Sequence, residues 1–204
     1  MLSVMKSAPT DKNIIDALRY MRVPPEGRSE ELVRTVREAF SRLDGVITPR
    51  IVWGRFHVEH FDGGIGLEGG YIYSKDIARL TARSDECIIL AATLGHDTDR
   101  QIAAAQRRDM LEGIALDACA SVMVDDFVDE AVRMEIVPSL RKGEHLTSRF
   151  SPGYGDLSMN VTEDIIAILD AAKRIGLSVT RSLMMSPVKS ITAIIGLFFK
   201  DAGQ

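Results

Sequence analysis

The densest group of residues that could bind a small molecule is the sequence Arg-Phe-Ser-Pro-Gly-Tyr at positions 149–154. An arginine guanidinium presents a planar fork of donors, which can bind a ligand carboxylate through two hydrogen bonds. Pro152 and Gly153 fix a turn that leaves backbone N–H and C=O groups facing outwards, and Tyr154 adds a flat ring with a polar tip. The pattern predicts either a carboxylate-binding loop or a rigid turn that carries a surface arginine.

A second candidate group consists of Asp125, Asp126 and Asp129, which follow an apolar stretch with helical character. Asp125 and Asp129 are four residues apart and therefore share one face of the predicted helix. Carboxylates at the edge of a buried helix either face solvent or meet a cation. Both alternatives stay open, and the second one suits a ligand that carries a sulfonium or ammonium group.

Two glycine-containing segments match anion-binding motifs only in part. Residues 64–69 fit the pattern G-x-G-x-x-G, but strand-like residues follow, whereas a dinucleotide fingerprint requires a helix there. A glycine-rich turn between strands, or a loop where a ligand approaches the backbone, is the favoured interpretation. The turn at residues 93–95 lies between a buried strand and a helix, where it is either an ordinary connection or an anion site.

The sequence supports no classical hydrolytic site and no metal centre. The four histidines are scattered, no serine lies in a G-x-S-x-G motif, and neither a Cys–His arrangement nor paired carboxylates stand out. Cys87 and Cys119 lack metal-binding spacing and lie in apolar runs, so they are predicted to be buried thiols. We therefore predict no catalytic residue and no metal ligand.

Composition and charge narrow the class of protein. The chain has 204 residues, of which 46% are hydrophobic and 26% charged, and its formal net charge is −4. Such a chain can form one globular domain with an extension, and its mild acidity does not favour nucleic-acid binding. It contains no apolar run long enough to span a membrane and no signal-peptide pattern, so a cytoplasmic protein without a membrane partner is expected.

The helices and strands that would position these residues follow from apolar periodicity. We predict an α+β fold, in which an antiparallel β-sheet is flanked by helices and preceded by a helical N-terminal extension. Residues 1–45 form the extension, and residues 46–204 form the main domain. The predicted helices cover residues 13–21, 30–43, 75–82, 98–133 and 162–175, and the predicted strands cover residues 46–60, 86–92, 177–185 and 190–199.

Several of these boundaries depend on single residues. Ser29 and Thr98 are the predicted N-caps of the helices that follow them. Gly113 is either a kink or a close-packing point within residues 98–133, which form one long helix or two abutting ones. Gly54 helps to divide the first β region into two short strands.

Short motifs in the C-terminal third resemble the activation (reactivation) domain of cobalamin-dependent methionine synthase, the module that binds S-adenosylmethionine. In that family an R-x-x-P-G-Y loop precedes a helix ending in K-x-x-G, a strand with L-T-E-S, and the motifs M-x-P and S-x-S. This chain carries similar motifs in the same order at residues 149–154, 173–176, 179–182 and 185–192. The ordered combination is more specific than any single motif, and a weaker match covers residues 87–133.

The resemblance implies ligand-binding roles for the matching residues. Arg149 corresponds to the arginine that holds the ligand's carboxylate. Ser151, Gly153 and Tyr154 correspond to the loop whose backbone and ring surround the adenosine. Asp125 corresponds to an acidic helix position that faces the positive end of the ligand, where the family often has Glu.

Other positions depart from the family pattern. Glu144 corresponds to a second acidic ligand-binding position only after a one-residue shift in spacing. Arg181 replaces the Glu of L-T-E-S, and Thr192 replaces the second Ser of S-x-S. A family tyrosine beyond Phe199 has no counterpart, so that part of the expected pocket differs.

The resemblance implies a free-standing activator, because the chain has no room for cobalamin, folate or homocysteine domains. The expected cofactors are S-adenosylmethionine and a cobalamin carried by a partner, a cobalamin-dependent methionine synthase that lacks its own activation domain. In the expected reaction, a flavodoxin-like donor reduces cob(II)alamin by one electron and S-adenosylmethionine gives its methyl group to cobalt. The products are methylcobalamin and S-adenosylhomocysteine, and the chain would be one component of this methyltransferase activity, supplying orientation and electrostatics.

Two alternatives to this function stay open. A non-catalytic adaptor for a corrinoid methyltransferase would keep the partner-binding surface without binding the ligand. An unrelated small-molecule enzyme would instead use the turn at residues 93–95, at the carboxyl end of a buried strand.

Overall fold

The computed structural model of the chain describes residues 8–68 and 70–199. Within these residues, two helices come first, and groups of strands then alternate with groups of helices along the chain. In chain order the elements are α1 (Asp11–Tyr20), α2 (Glu30–Asp44), β1 (Arg50–His57), β2 (Glu59–Phe61), β3 (Gly64–Leu67), β4 (Gly70–Tyr73), α3 (Lys75–Leu80), β5 (Glu86–Thr93), α4 (His96–Arg108), α5 (Met110–Ala131), β6 (Glu144–Leu146), α6 (Val161–Ile168), α7 (Ala171–Ile175), β7 (Ser178–Val179), β8 (Met185–Ser186) and β9 (Ser190–Phe199).

The central sheet has the strand order β1-β5-β9-β6, and each neighbouring pair is antiparallel. β5 lies in its interior, and its side chains alternate between two apolar clusters. Ile88 and Leu90 enter one cluster, whereas Cys87 and Ile89 enter the other. A strand that is buried on both faces needs an uninterrupted apolar run, which explains the sequence of residues 86–92.

Two different layers cover the two faces of this sheet. Helices α1, α2, α4 and α5 cover the face that carries Ile88 and Leu90. The opposite face is covered by α3, α6, α7 and the antiparallel meander β2-β3-β4. The observed architecture is the predicted α+β fold, with an antiparallel sheet flanked by helices.

Helices α1 and α2 pack against α5 in the helical layer. Leu18 of α1 and Phe40 of α2 lie in the same apolar cluster as Met123 of α5. Ser29 accepts the N–H of Leu32, so its predicted role as the N-cap of α2 is confirmed. The boundary between the extension and the main domain stays a prediction.

A break at Asp109 divides the long helical region into α4 and α5. Asp109 has an extended backbone, and its carboxylate accepts the N–H groups of Leu111 and Glu112 as the N-cap of α5. The predicted kink at Gly113 is therefore wrong. Close packing at Gly113 is confirmed, because a Cβ there would overlap Gln106.

The turn before α4 differs from its prediction, because the helix begins at His96 and Thr98 is not its N-cap. Gly95 precedes the helix with a φ of +89°, which a residue with a Cβ rarely adopts. The Thr98 hydroxyl donates to the carbonyl of Leu94, and the N–H of Leu94 donates to the carbonyl of Lys189. Backbone and side-chain hydrogen bonds within the chain thus account for this turn as a structural connection.

The C-terminal third departs from the predicted pattern in two places. Asp170 has a left-handed backbone with φ +49°, which breaks the predicted helix at 162–175 into α6 and α7. The predicted strand at 177–185 is wrong, since these residues form the small hairpin β7–β8, in which Ser178 pairs with Ser186. The next strand, β9, has the predicted bounds.

The first β region also contains two strands, but Gly54 does not divide them. Gly54 pairs with Ile89 inside β1, and the ring of Phe56 would lie 2.8 Å from a Cβ at this position. Residues 64–67 form β3 of the meander, and Gly69 lies outside the described residues. Strands on both sides of the glycine motif are incompatible with a dinucleotide fingerprint.

The longest helix among the described residues is α5, with 22 residues. Its apolar face packs on the sheet, while Asp117, Asp125, Asp126 and Asp129 interrupt its apolar run. Within residues 8–68 and 70–199, no helix combines the length and the apolarity that a bilayer crossing requires.

Candidate ligand-binding site

A cavity of about 460 Å³ opens where α5, the start of β9, the end of α1 and the loop after β6 meet. Its volume falls in the range of small-molecule clefts, roughly 300–1,000 Å³. The wall includes Asp125, Arg149, Ser151 and Tyr154, four of the six residues predicted to bind a ligand. The fold therefore brings together residues that lie up to 29 positions apart in the sequence, from Asp125 to Tyr154.

Arg149 is held in place by the strand-like residue that follows it. Phe150 forms an isolated antiparallel bridge with Ile194 of β9, through N–O distances of 2.9 and 2.8 Å. The Arg149 Nη2 atom donates to Oδ1 of Asp125 at 2.9 Å and lies 3.6 Å from Oδ1 of Asp129. Its Nη1 atom is buried without a hydrogen-bond partner among the described residues.

An unpaired buried donor of this kind is rare in a folded protein, since leaving one costs about 1–3 kcal/mol. Because Arg149 lines the cavity, a ligand acceptor that reached its Nη1 atom would be stabilised by a donor that is otherwise unused. A carboxylate is the acceptor that best matches a guanidinium.

Asp125 is bonded through both of its carboxylate oxygens. Oδ1 accepts from Arg149, and Oδ2 accepts from the hydroxyl of Tyr20 at 3.0 Å. Burial, followed by the negative charge of Asp125, raises the pKa of Tyr20 to about 12, so this phenol stays protonated at neutral pH. Tyr20, Asp125 and Arg149 also line an adjoining acidic cleft between α1 and α5.

The neighbouring Asp126 faces a different partner. Its carboxylate accepts from the amide of Asn13 at 2.5 Å, which ties α1 to α5. Burial of Asp126 raises its pKa, against the opposing effects of Lys12 and Asn13. The acidic group on α5 thus divides into a cavity-facing Asp125 and a helix-joining Asp126.

The loop that carries Ser151 and Tyr154 is anchored at its far end. The carboxylate of Asp156 accepts from the Ser74 hydroxyl at 2.5 Å and from the N–H of Lys75 at 2.8 Å, at the N-terminus of α3. These hydrogen bonds hold the pKa of Asp156 below its usual value, and the bond from Ser74 makes the largest contribution. The anchor fixes the loop, so that Tyr154 stands at the cavity wall while its side chain stays exposed.

Gly153 shapes the same loop without lining the cavity itself. Its φ of +90° lies in the region that favours glycine, and its N–H donates to the carbonyl of Leu157 at 2.8 Å. A Cβ at this position would lie 2.7 Å from the sulfur of Met159. The turn predicted from Pro152 and Gly153 is confirmed by this geometry.

Glu144, the sixth predicted site residue, lies elsewhere. Its carboxylate accepts two hydrogen bonds from Arg55, at 2.8 and 2.9 Å, and one from the N–H of Arg141 at 2.9 Å. The hydrogen bonds from Arg55 are the main reason that the pKa of Glu144 is lowered. Glu144 does not line the cavity, so the geometry gives it no contact with a ligand bound there.

The cavity residues that sequence reasoning missed include Tyr20 and Lys189. The Lys189 ammonium lies 2.9 Å from Asp117 and donates to the hydroxyl of Ser121 at 2.9 Å, although its side chain is almost fully buried. Lys189 lies within the family-like motif at residues 185–192, but the motif gives it no role in the site. Tyr20 carries no signal beyond its place at the end of a predicted helix.

The cavity thus places a guanidinium beside a carboxylate. Arg149 and Asp125 present opposite charges side by side, an arrangement that can bind the carboxylate and the ammonium group of an amino acid together. Among the described residues no cluster of three or more histidine, cysteine or acidic side chains is arranged to hold a metal ion.

Comparison with known proteins finds the fold of this chain in solved structures. The chain is similar to a crystal structure of the MetH reactivation domain bound to AdoHcy, with a TM-score of 0.65 and 18% sequence identity. The alignment covers 91% of this chain and 70% of that chain. No family model matches the chain, and no curated protein matches it. At this identity the similarity establishes the fold.

Proposed function

We propose that this chain binds S-adenosylmethionine in the cavity described above. The observation that carries the proposal is the unpaired Nη1 atom of Arg149 beside Asp125. The ligand's carboxylate would complete the guanidinium, and its ammonium group would contact Asp125. The similar fold of a domain whose structure was solved with AdoHcy, the demethylated form of this ligand, supports the assignment.

The loop residues complete the proposed binding mode. Tyr154 would contact the adenosine through its exposed ring, and the backbone around Ser151 and Gly153 would supply hydrogen-bonding groups. Because Arg149 and Asp125 neutralise each other, the site can accept a ligand that carries both charges without a large change in net charge. Glu144 has no part in this binding mode.

We further propose that the bound ligand serves a separate cobalamin-dependent methionine synthase that lacks its own activation domain. In this role the chain is a free-standing, cytoplasmic activator, and a flavodoxin-like protein supplies the electron. Cobalamin, carried by the partner, supplies the cobalt that accepts the methyl group. The residues of this chain bind and orient the methyl donor, which is consistent with the absence of an acid–base pair from the predicted site residues.

A reactivation assay tests this function. The methionine synthase lacking its activation domain is prepared with cob(II)alamin and mixed with this protein, S-adenosylmethionine and reduced flavodoxin. We expect the visible spectrum of cob(II)alamin to convert to that of methylcobalamin only when all components are present. At an S-adenosylmethionine concentration near the wild-type dissociation constant, Arg149→Met should prevent most of the conversion. Arg34→Met, which removes an exposed arginine of α2, should not.

One observation favours a second candidate function, that of an adaptor without a ligand. The ion pair with Asp125 already satisfies part of the Arg149 guanidinium, so the cavity is not strongly destabilised when empty. An adaptor would activate its partner with or without S-adenosylmethionine, and Arg149→Met would leave that activation intact. Full activity of this variant would therefore exclude the ligand-binding proposal and support the adaptor.

A further inference from the structure

We propose that Tyr20, on the N-terminal helix α1, is a positioning residue for the amino-acid end of the ligand and acts through Asp125. This inference rests on the proposed binding of S-adenosylmethionine. It assigns a role in the site to a helix that lies more than 100 residues before Asp125 in the sequence, as the separation of 105 positions shows.

The contact that carries the inference is the hydrogen bond from the Tyr20 hydroxyl to Oδ2 of Asp125, at 3.0 Å. Because Oδ1 accepts from Arg149, the two bonds hold the carboxylate at both ends and prevent its rotation. Each oxygen keeps a further lone pair, since a carboxylate offers about four acceptor positions. The remaining positions are available to an ammonium group in the cavity.

Arg149 has a competing carboxylate partner, which makes this fixation necessary. Asp129 lies one helical turn after Asp125 and only 3.6 Å from the same Nη2 atom. If Asp125 rotated away, the guanidinium could move towards the more exposed Asp129, and its position at the cavity wall would change. Tyr20 keeps Asp125 in place and thereby also keeps Arg149 in place.

The Tyr20 hydroxyl is not needed to hold α1 on the domain. Tyr20 is 54% exposed, whereas Ile14 and Leu18 of the same helix are buried in the core. Asn13 supplies an independent polar link to α5 through Asp126. Removal of the hydroxyl alone should therefore leave the helix docked, and its effect should fall on Asp125.

The test compares two ligands and the variant Tyr20→Phe, which removes only the hydroxyl. S-adenosylmethionine has an amino-acid group and a sulfonium, whereas 5′-methylthioadenosine has the same adenosine with a neutral thioether sulfur and lacks the amino-acid group. We expect Tyr20→Phe to raise the dissociation constant of S-adenosylmethionine about five- to tenfold, which is the size of the net contribution of one ordinary hydrogen bond. The dissociation constant of 5′-methylthioadenosine should not change.

Tyr73→Phe is the matched control, because Tyr73 is an exposed tyrosine on β4, in the layer on the other face of the sheet. It should leave the affinity for both ligands and the melting temperature unchanged. Tyr20→Phe should also melt at the wild-type temperature, which separates a positioning role from a role in folding.

Three results would overturn the inference, and each has a distinct meaning. An equal loss of affinity for both ligands would show that Tyr20 supports the fold of the cavity as a whole. Unchanged affinity of Tyr20→Phe for S-adenosylmethionine would show that its hydroxyl has no role, while the proposed function would stand. Absence of S-adenosylmethionine binding to the wild-type protein would overturn the proposed function and this inference together.

Discussion

Two arginine–carboxylate pairs among the described residues, Arg55 with Glu144 and Arg149 with Asp125, differ in how completely their polar groups are bonded. Arg55 of β1 and Glu144 of β6 form a two-point pair that joins the two outer strands of the central sheet, with Glu144 6% exposed. Arg149 and Asp125 form a single hydrogen bond at the wall of the cavity. We call Arg55–Glu144 the closed pair, because its groups are bonded within the protein. We call Arg149–Asp125 the open pair, because Arg149 keeps a nitrogen without a partner.

The difference lies in how completely each group is bonded. Glu144 accepts from Arg55 and from the backbone of Arg141, and Arg55 also donates to Glu86. Arg149 keeps one buried nitrogen without a partner. A fully bonded pair stabilises the fold, while an incompletely bonded pair beside a cavity can contribute its remaining donors to a ligand. A charged group beside a cavity thus indicates ligand binding when it lacks hydrogen-bond partners, and its charge alone does not.

The largest effect is expected when the closed pair is broken. Arg55→Met leaves the Glu144 carboxylate buried without its main partner, which should lower the free energy of unfolding by about 3–5 kcal/mol. Chemical denaturation at neutral pH measures this change. Affinity for S-adenosylmethionine, measured where the variant is still folded, should equal that of the wild type. If binding were reduced by more than the loss of folded protein explains, the Arg55–Glu144 pair and the Arg149–Asp125 pair would not be independent.

The open pair should respond in the opposite way. Arg149→Met removes the proposed carboxylate-binding group, so we expect the dissociation constant of S-adenosylmethionine to rise about 30- to 100-fold. Asp125 and Asp129 can then be hydrated, because both are partly exposed, and the free energy of unfolding should change by less than about 1 kcal/mol. Titration calorimetry and denaturation test both statements. A variant that binds normally but unfolds easily would reverse the roles of the two pairs.

The pH dependence of the free energy of unfolding also identifies the contribution of the Arg55–Glu144 pair. Hydrogen bonds from Arg55 lower the pKa of folded Glu144, so this residue contributes stability that is fully present above the unfolded glutamate pKa of about 4.3. That contribution is lost as the pH falls through the lower pKa of the folded state. As the pH decreases between these two pKa values, the free energy of unfolding of the wild type should therefore fall more steeply than that of Glu144→Gln. Parallel curves in this range would contradict the assignment of Glu144 to the stabilising pair.

The smallest expected effect is at the exposed side of the cavity. Tyr154→Ala removes a ring that is 69% exposed, so the fold should lose almost no stability. The dissociation constants of S-adenosylmethionine and 5′-methylthioadenosine should both rise about fivefold, as for the loss of one aromatic contact. An effect on S-adenosylmethionine alone would mean that Tyr154 contacts the amino-acid end, and the proposed orientation of the ligand would be reversed.

The sequence predicts those parts of the fold that depend on neighbouring residues. The N-cap at Ser29 and the bounds of β9 follow from a side chain next to a helix and from an apolar run. The sequence pattern allows one long helix or two abutting ones over residues 98–133, but it does not give the position of the break at Asp109 or the hairpin β7–β8, because packing and turn geometry override the local pattern there.

The prediction of the site residues is limited in the same way, because it also depends on the packing of distant parts of the chain. Residue type and resemblance predict Arg149 and Asp125 as site residues, and the fold places both at one cavity. The prediction of Glu144 requires a one-residue shift in spacing, and a shift of one residue in a strand such as β6 moves a side chain to the opposite face. The sequence does not predict Tyr20, since only the packing of α1 on α5 brings it to Asp125.

A crystal structure of the protein with S-adenosylmethionine at saturating concentration tests the central claim most directly. We predict that the ligand's carboxylate lies within hydrogen-bonding distance of the Arg149 Nη1 atom, with its ammonium group at Asp125 and with the Arg55–Glu144 pair unchanged. A carboxylate bound to any other group, or a cavity that stays empty at saturation, would contradict the claim that Arg149 is the ligand-binding arginine.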